Sequence, residues 1–178
     1  MAKALAKSEN HLHDTEPRWF AVYINYKREK LVKGMLEQKG IECYLPIQKV
    51  TRRYARKVRT LELPLISCYI FVRIVKAEYV PVLETEYVLK FTKIAQNLLS
   101  VPDSEIETLK RVVGEGMNVT IEPTSMQAGD TVEIVAGNLT GLRGKLVSVE
   151  GKKQMLVELE HIGYTLRMNI DSALLRRL

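Results

Sequence analysis

The densest run of chemistry-bearing side chains is "TRRYARKVRT", where Arg52, Arg53, Arg56, Lys57 and Arg59 follow one another with no acidic neighbour. Like charges so close repel, and a polyanion or an acidic protein surface would relieve them; a solvated loop tip is the plainer account. Lys27, Arg28 and Lys30 add cations just where a helix begins. They oppose the helix dipole there, so helix stability does not explain them, and contact with DNA is the functional reading. Other reactive types are sparse. His11 and His13 form an H-x-H pair without further ligands nearby, and His161 reads as a lone surface histidine. Cys43 and Cys68 both lie in apolar, strand-like surroundings, as buried free thiols do in a reducing compartment. Carboxylates such as Glu42, Glu62 and Glu78 are scattered. With no G-x-S-x-G, P-loop or metal-ligand spacing, a non-enzymatic protein without metal or cofactor is expected.

Composition agrees with a binding role. The chain has 178 residues, 46% hydrophobic and 27% charged, with a net charge of +6. No apolar run is long enough to span a bilayer, and the opening "MAKALAKSEN" is too short in its apolar stretch for a secretory signal, so the cytoplasm is the expected compartment. The basic excess permits nucleic-acid contact without demanding it.

The elements that must position these residues come next. Residues 1–17 read as a disordered tail. "RWFAVYIN" alternates, with Phe20, Val22 and Ile24 on one face and Trp19, Ala21 and Tyr23 on the other. A helix follows, striped by Leu31, Val32, Met35 and Leu36 and stopped at Gly40. "IECYLPIQKV" is a strand interrupted by Pro46; the basic stretch is a hairpin tip; "KAEYVPVLETE" is a short helix or turn broken at Pro81; "YVLKFTKI" is another strand. "VPDSEIETLKRVVG" is a helix with Ile106, Leu109 and Val113 on one side. Residues 18–113 thus form an α+β domain, an antiparallel sheet with flanking helices. Residues 114–128 read as a linker with room for one strand, and 129–178 as a small antiparallel β-barrel. In the barrel, Val132 and Ile134, Met155, Val157 and Leu159, and Tyr164, Leu166, Met168 and Ile170 face inward.

One strand is odd. In "LPLISCYIFVRIV", Cys68, Ile70, Val72 and Ile74 line one face, while Tyr69 and Phe71 begin the other. A half-buried strand usually turns polar residues to solvent. Here Trp19, Tyr23, Tyr69 and Phe71 share the second face, and an exposed aromatic patch marks a partner site.

Two motifs, in order, carry a family resemblance. "AGDTVEIVAGNLTGLRGKLVSV", punctuated by Gly137, Gly141 and Gly144, resembles the KOW motif of SH3-like barrels. "RWFAVYI", "CYLPIQKV" and "PLISCYIFV" resemble the N-terminal (NGN) domain of NusG-family elongation factors. The resemblance runs from Arg18 to Leu178 and implies a transcription elongation or antitermination factor. Its aromatic face would bind the clamp helices of RNA polymerase, through Tyr23, Ile66, Tyr69, Phe71, Phe91 and Ile94. Its basic hairpin would lie beside upstream or non-template DNA and the opposite pincer of the polymerase cleft. Its barrel tips, Leu139, Ile162 and Tyr164, would meet termination factor Rho or a small-subunit ribosomal protein. The family's glycine in P-G-Y is Cys68 here, its F-V-G-G run reads "FTKI", and its barrel loops read "NLTG" and "HIGYT". These departures resemble specialised RfaH- and UpxY-type paralogues serving particular operons, such as surface-polysaccharide clusters. The strict alternation of "YTLRMNI" favours a β rather than a helical C-terminal domain, and a monomer is expected.

"CYIFVRI" also resembles the aromatic strand of an RNA-recognition motif, whose sheet-face rings stack on unpaired bases. That alternative, a single-stranded RNA-binding module, wants a basic residue and a glycine where this chain has Ser67-Cys68, and it leaves the barrel unexplained.

Overall fold

A computed structural model describes residues 8–116, 119–123, 129–149 and 152–178. The chain divides into two compact units, Met1–Leu45 with Ser67–Asp103, and Pro46–Ile66 with Ser104–Leu178. This is not the contiguous 18–113 and 129–178 division expected from the sequence. The excursion at 46–66 and the helix after Asp103 cluster with the C-terminal part of the chain.

The first unit is built on four antiparallel strands: β1 (Arg18–Ile24), β2 (Glu42–Tyr44), β5 (Tyr69–Ile74) and β6 (Val88–Phe91), in the order β2-β5-β1-β6. Phe20, Val22, Ile24, Ile70, Val72 and Ile74 are all fully buried, as the alternation requires. Helix α1 (Glu29–Gln38) contacts β2 and β5 and buries Val32 and Leu36. Its apolar stripe is narrower than expected, because Leu31 points to solvent and Met35 is only half-buried. Pro81 does not break the chain. It sits inside the five-residue helix α2 (Tyr79–Leu83), in the first turn, where a missing N–H leaves no intrahelical acceptor wanting.

The N-terminal tail is ordered from residue 8. The His11 N–H donates to the Leu98 carbonyl, and the His11 Nδ1 accepts from the Ser100 N–H at 3.0 Å. The His13 Nδ1 accepts from the Glu16 N–H at 2.9 Å. Both histidines therefore serve as backbone acceptors, which is what holds a polar, aperiodic segment in place. Residues 1–7 lie outside the described residues.

The second unit holds a hairpin, β3 (Ile47–Tyr54) with β4 (Lys57–Pro64), the helix α3 (Asp103–Gly114), and a six-stranded antiparallel sheet. The strands of that sheet are β7 (Val119–Pro123), β8 (Asp130–Ile134), β9 (Arg143–Val149), β10 (Lys152–Leu159), β11 (Tyr164–Met168) and β12 (Leu175–Arg177), in the order β12-β8-β9-β10-β11-β7. Of the residues expected to face inward, Met155 pairs with Met168, Val157 with Leu166 and Leu159 with Tyr164. β7 lies in the supposed linker and is an edge strand of the sheet, so this part of the fold begins at Val119 rather than residue 129.

Candidate functional sites

Strand pairing brings the aromatic residues of the first unit together. β1 and β5 are in a register that sets Tyr23 opposite Tyr69, Ala21 opposite Phe71 and Trp19 opposite Arg73. Tyr44 on β2 then lies opposite Phe71. The Tyr23 and Tyr69 rings meet edge to face with centroids 5.3 Å apart, and Tyr44 stacks on Phe71 at 6.5 Å. Sharing a face is not the same as being exposed. Tyr23 and Tyr69 are half-buried, while Trp19 and Phe71 are closed off from solvent.

Three of the six expected polymerase-contact residues need correction. Phe71 is fully buried, and Ile66, at the base of the hairpin, is almost fully so. Phe91 is buried on the other side of the sheet. Its register partner is Val22, and its ring packs edge to face on Phe20 at 6.2 Å and stacks on Tyr79 at 4.5 Å. A bulge between Tyr23 and Ile24 shifts the β1–β6 register there. Tyr23, Tyr69 and the exposed Ile94 remain accessible, and the Lys90 ammonium lies 5.9 Å from the centre of the Tyr23 ring.

The cations before α1 have local partners. Arg28 stacks its guanidinium over Tyr87 at 5.1 Å, and the Lys27 ammonium lies over Tyr26 at 5.2 Å. Such contacts contribute about 0.5–1 kcal/mol at exposed sites, enough to offset an unfavourable helix dipole. Glu29, buried in the first turn, adds a carboxylate of the favourable sign. Lys30 is exposed.

The basic hairpin forms as expected, with a two-residue turn at Ala55-Arg56. Every residue from Thr51 to Thr60 is exposed, so Arg52, Arg53, Arg56, Lys57 and Arg59 all stand in solvent.

The C-terminal loop tips differ from expectation. Leu139 and Ile162 are buried, and Tyr164 is half-buried at the start of β11. Both loops are held by α3 of the same unit. Arg111 donates from Nη2 to the Asn138 carbonyl at 2.8 Å and to the Thr140 carbonyl at 2.9 Å. Glu105 Oε1 accepts from the His161 N–H at 3.1 Å and pairs with its Nδ1 at 2.8 Å. His161 is therefore not a lone surface histidine.

Burial pushes the Cys43 thiol up to about 11, so it stays protonated and a poor nucleophile. Among the described residues no cluster of His, Cys, Asp and Glu could hold a metal ion, and no helix is long and apolar enough to cross a membrane.

The family model described as "Transcription termination factor nusG" matches residues 17–110. The chain belongs to the NusG family. Members of that family are transcription factors, and this chain is one of them rather than an enzyme. The NusG fold is matched by the solved structure "Domain interaction in Thermotoga maritima NusG", at 19% identity and a TM-score of 0.58, over 92% of this chain and 98% of that one. The "MjSpt4:Spt5 complex conformation A" overlaps at 18% identity with a TM-score of 0.32, over 90% of this chain and 97% of that one. No curated protein sequence matches this chain.

Where NusG-like sequences carry glycine in P-G-Y, the backbone of this chain still takes the conformation that glycine favours. Cys68 has φ +65°, its N–H donates to Glu29 Oε1 at 3.0 Å, and its carbonyl accepts from Ile24 at 2.9 Å. The left-handed region costs a non-glycine residue about 1–2 kcal/mol, against about 0.5–1 kcal/mol of extra entropy that glycine loses on folding. Cys68→Gly is therefore expected to stabilise the protein by about 0.5–1 kcal/mol, read as a higher urea midpoint. A lower midpoint would mean that packing of the thiol outweighs the strain.

Proposed function

We propose that this NusG-family factor holds RNA polymerase through the Tyr23–Tyr69 edge of its four-stranded sheet and suppresses pausing or termination. The observation that carries the reading is the half-exposed tyrosine pair, edge to face at 5.3 Å, with the Lys90 cation over one ring. Large, rigid rings with a polar tip are effective interface centres because they bury area with little loss of rotamer freedom. The partner surface is the clamp helices, with Ile94 contributing apolar area. Phe71, Phe91 and Ile66 are buried and are not part of that contact.

The hairpin cations reach towards the other pincer of the cleft and the upstream or non-template DNA, together with Lys27, Arg28 and Lys30. Bridging both sides favours a closed polymerase over an open, paused one, by no more than the difference in affinity for the two states. The six-stranded sheet acts as the KOW domain, presenting Leu139, Ile162 and Tyr164 to Rho or a ribosomal protein. Since Leu139 and Ile162 are buried, that encounter requires Arg111 and Glu105 to release their loops. The departures at Cys68, "FTKI", "NLTG" and "HIGYT" support service to particular operons over a general role.

The rival, base stacking on the sheet face, asks Phe71 to present its ring to a nucleotide. A fully buried ring has no free face to offer.

The test is retention on purified RNA polymerase. Tyr23→Ala and Tyr69→Ala are expected to weaken binding about tenfold or more each and to restore pausing in a single-round elongation assay. Both should unfold at nearly the wild-type urea concentration. Unchanged retention in the double variant would sink the assignment.

A further inference from the structure

We propose that the N-terminal segment is a strap that holds Ile94 in place for its partner, with His11 as the positioning residue. The inference deepens the polymerase reading given above and rests on it. Ile94 opens a tight turn that ends at Asn97 and is closed by one antiparallel rung. The Ile94 N–H donates to the Asn97 carbonyl at 3.0 Å, and the Asn97 N–H to the Ile94 carbonyl at 2.8 Å. The two residues between them, Ala95 and Gln96, have φ of +46° and +75°. Turns with two successive positive φ values are normally built from Asn-Gly, Asp-Gly or Gly-Gly, because other side chains crowd their own backbone there. Ala-Gln disfavours such a turn about tenfold at each position, so the single rung does not account for it.

The N-terminal segment supplies what the turn lacks. At either end the stretch containing the turn is anchored on β1: the Thr92 N–H donates to the Ala21 carbonyl and the Val101 N–H to the Trp19 carbonyl, both at 2.8 Å. Between those anchors the tail pairs in parallel with the chain, Asn10 beside Leu98. The Glu9 N–H donates to Asn97 Oδ1 at 2.8 Å, the Leu98 N–H to the Glu9 carbonyl at 2.9 Å, and the His11 N–H to the Leu98 carbonyl at 2.9 Å. His11 closes the set, because its Nδ1 accepts from the Ser100 N–H at 3.0 Å while its Nε2 lies 2.8 Å from Glu9 Oε1. The carboxylate draws the ring proton to Nε2 and leaves Nδ1 as the acceptor. Residues 8–10 are themselves exposed, so the strap adds little apolar burial; its bonds converge on the turn. Strained backbone persists only where its surroundings over-determine it, and it gathers at sites that hold a ligand. Asn97 is gripped from two sides, by the rung and by the tail, and Ile94 is left 40% exposed at the end of that chain of contacts.

The experiment pairs amide hydrogen exchange with retention on purified RNA polymerase, both in the full-length protein. His11→Pro removes the N–H to Leu98 and the ring acceptor for Ser100 together, whereas His11→Asn keeps an N–H and an acceptor of similar reach. In His11→Pro the Ile94 and Asn97 amides should exchange about tenfold faster or more, with the Val22 and Ile70 amides and the urea midpoint close to wild type. Retention should fall about fivefold, as for Ile94→Ala, and His11→Asn should behave as wild type. His11→Pro should weaken retention no further once Ile94 is replaced by alanine, because a positioning residue acts through the group it positions. Ala95→Asn with Gln96→Gly, which relieves the strain, should restore both slow exchange and retention to His11→Pro. Unchanged exchange at Ile94 and Asn97 would overturn the proposal. So would a retention loss that persists in the Ile94→Ala background, or retention untouched by Ile94→Ala and His11→Pro while Tyr69→Ala still weakens it. Retention unchanged in every variant, the tyrosines included, would overturn the polymerase reading and this proposal with it.

Discussion

Phe71→Ala is expected to lower the stability of the protein by about 3–5 kcal/mol, with the loss read from urea unfolding. The ring is fully buried, stacked on Tyr44 and set opposite Ala21, so truncation removes its transfer free energy and leaves a cavity that the β-sheet backbone cannot collapse. Against a total stability of about 5–15 kcal/mol, such a loss leaves a substantial unfolded population. Phe71→Leu keeps most of the volume and is expected to stay within about 1.5 kcal/mol of wild type. The pair matters for function as well as folding. Any fall in polymerase retention for Phe71→Ala reports the fold, whereas the same fall for Tyr69→Ala, two strand positions away, reports the surface. An unfolding midpoint for Phe71→Ala equal to wild type would show the ring facing solvent, and Phe71 would return to the list of contact residues.

The contrast between Phe71 and Tyr69 shows what sequence patterning conveys. Alternation in "RWFAVYI" and "YIFVRI" put Tyr23, Tyr69 and Phe71 on one side, and the register agrees. Parity names a face but says nothing of what covers it, so the pattern alone does not distinguish the closed-off Trp19 and Phe71 from the accessible tyrosines. Phe91 failed for a different reason. Its contact role came from the resemblance alone, and its in-register partner Val22 sets it on the opposite side of the sheet from Tyr23 and Tyr69. The apolar loop tips Leu139 and Ile162 were legible as apolar; the hydrogen bonds that hold their loops come from Arg111 and Glu105, 27 and 56 residues from the atoms they hold. Such long-range pairs have no local signal. The ordered tail is similar, since the acceptor role of His11 is set by Ser100, 89 residues on. The basic hairpin was the most legible site, because its charge, turn and pairing are all local.

Glycine chemistry in the C-terminal sheet leads to the second large effect. Glycine can be required for close backbone approach or for positive φ, and in the run "GNLTGLRG" the structure divides those reasons among its members. Gly137 and Gly141 have φ of +83° and +84° with open space where a side chain would be. Gly144 has the opposite need: a Cβ there would lie 2.2 Å from the Leu156 carbonyl oxygen and 3.0 Å from the Met155 Cε. The methionine tip can move, but the carbonyl belongs to β10 and moves only with the β9–β10 pairing. Gly144→Ala is therefore expected to destabilise the second unit by about 3 kcal/mol or more, whereas Gly137→Ala meets only backbone strain of about 1–2 kcal/mol. Urea unfolding of the two variants followed by circular dichroism should keep that order. If the order is reversed, the β9–β10 approach is looser than drawn, and positive φ, rather than crowding, is what the motif's glycines are chosen for.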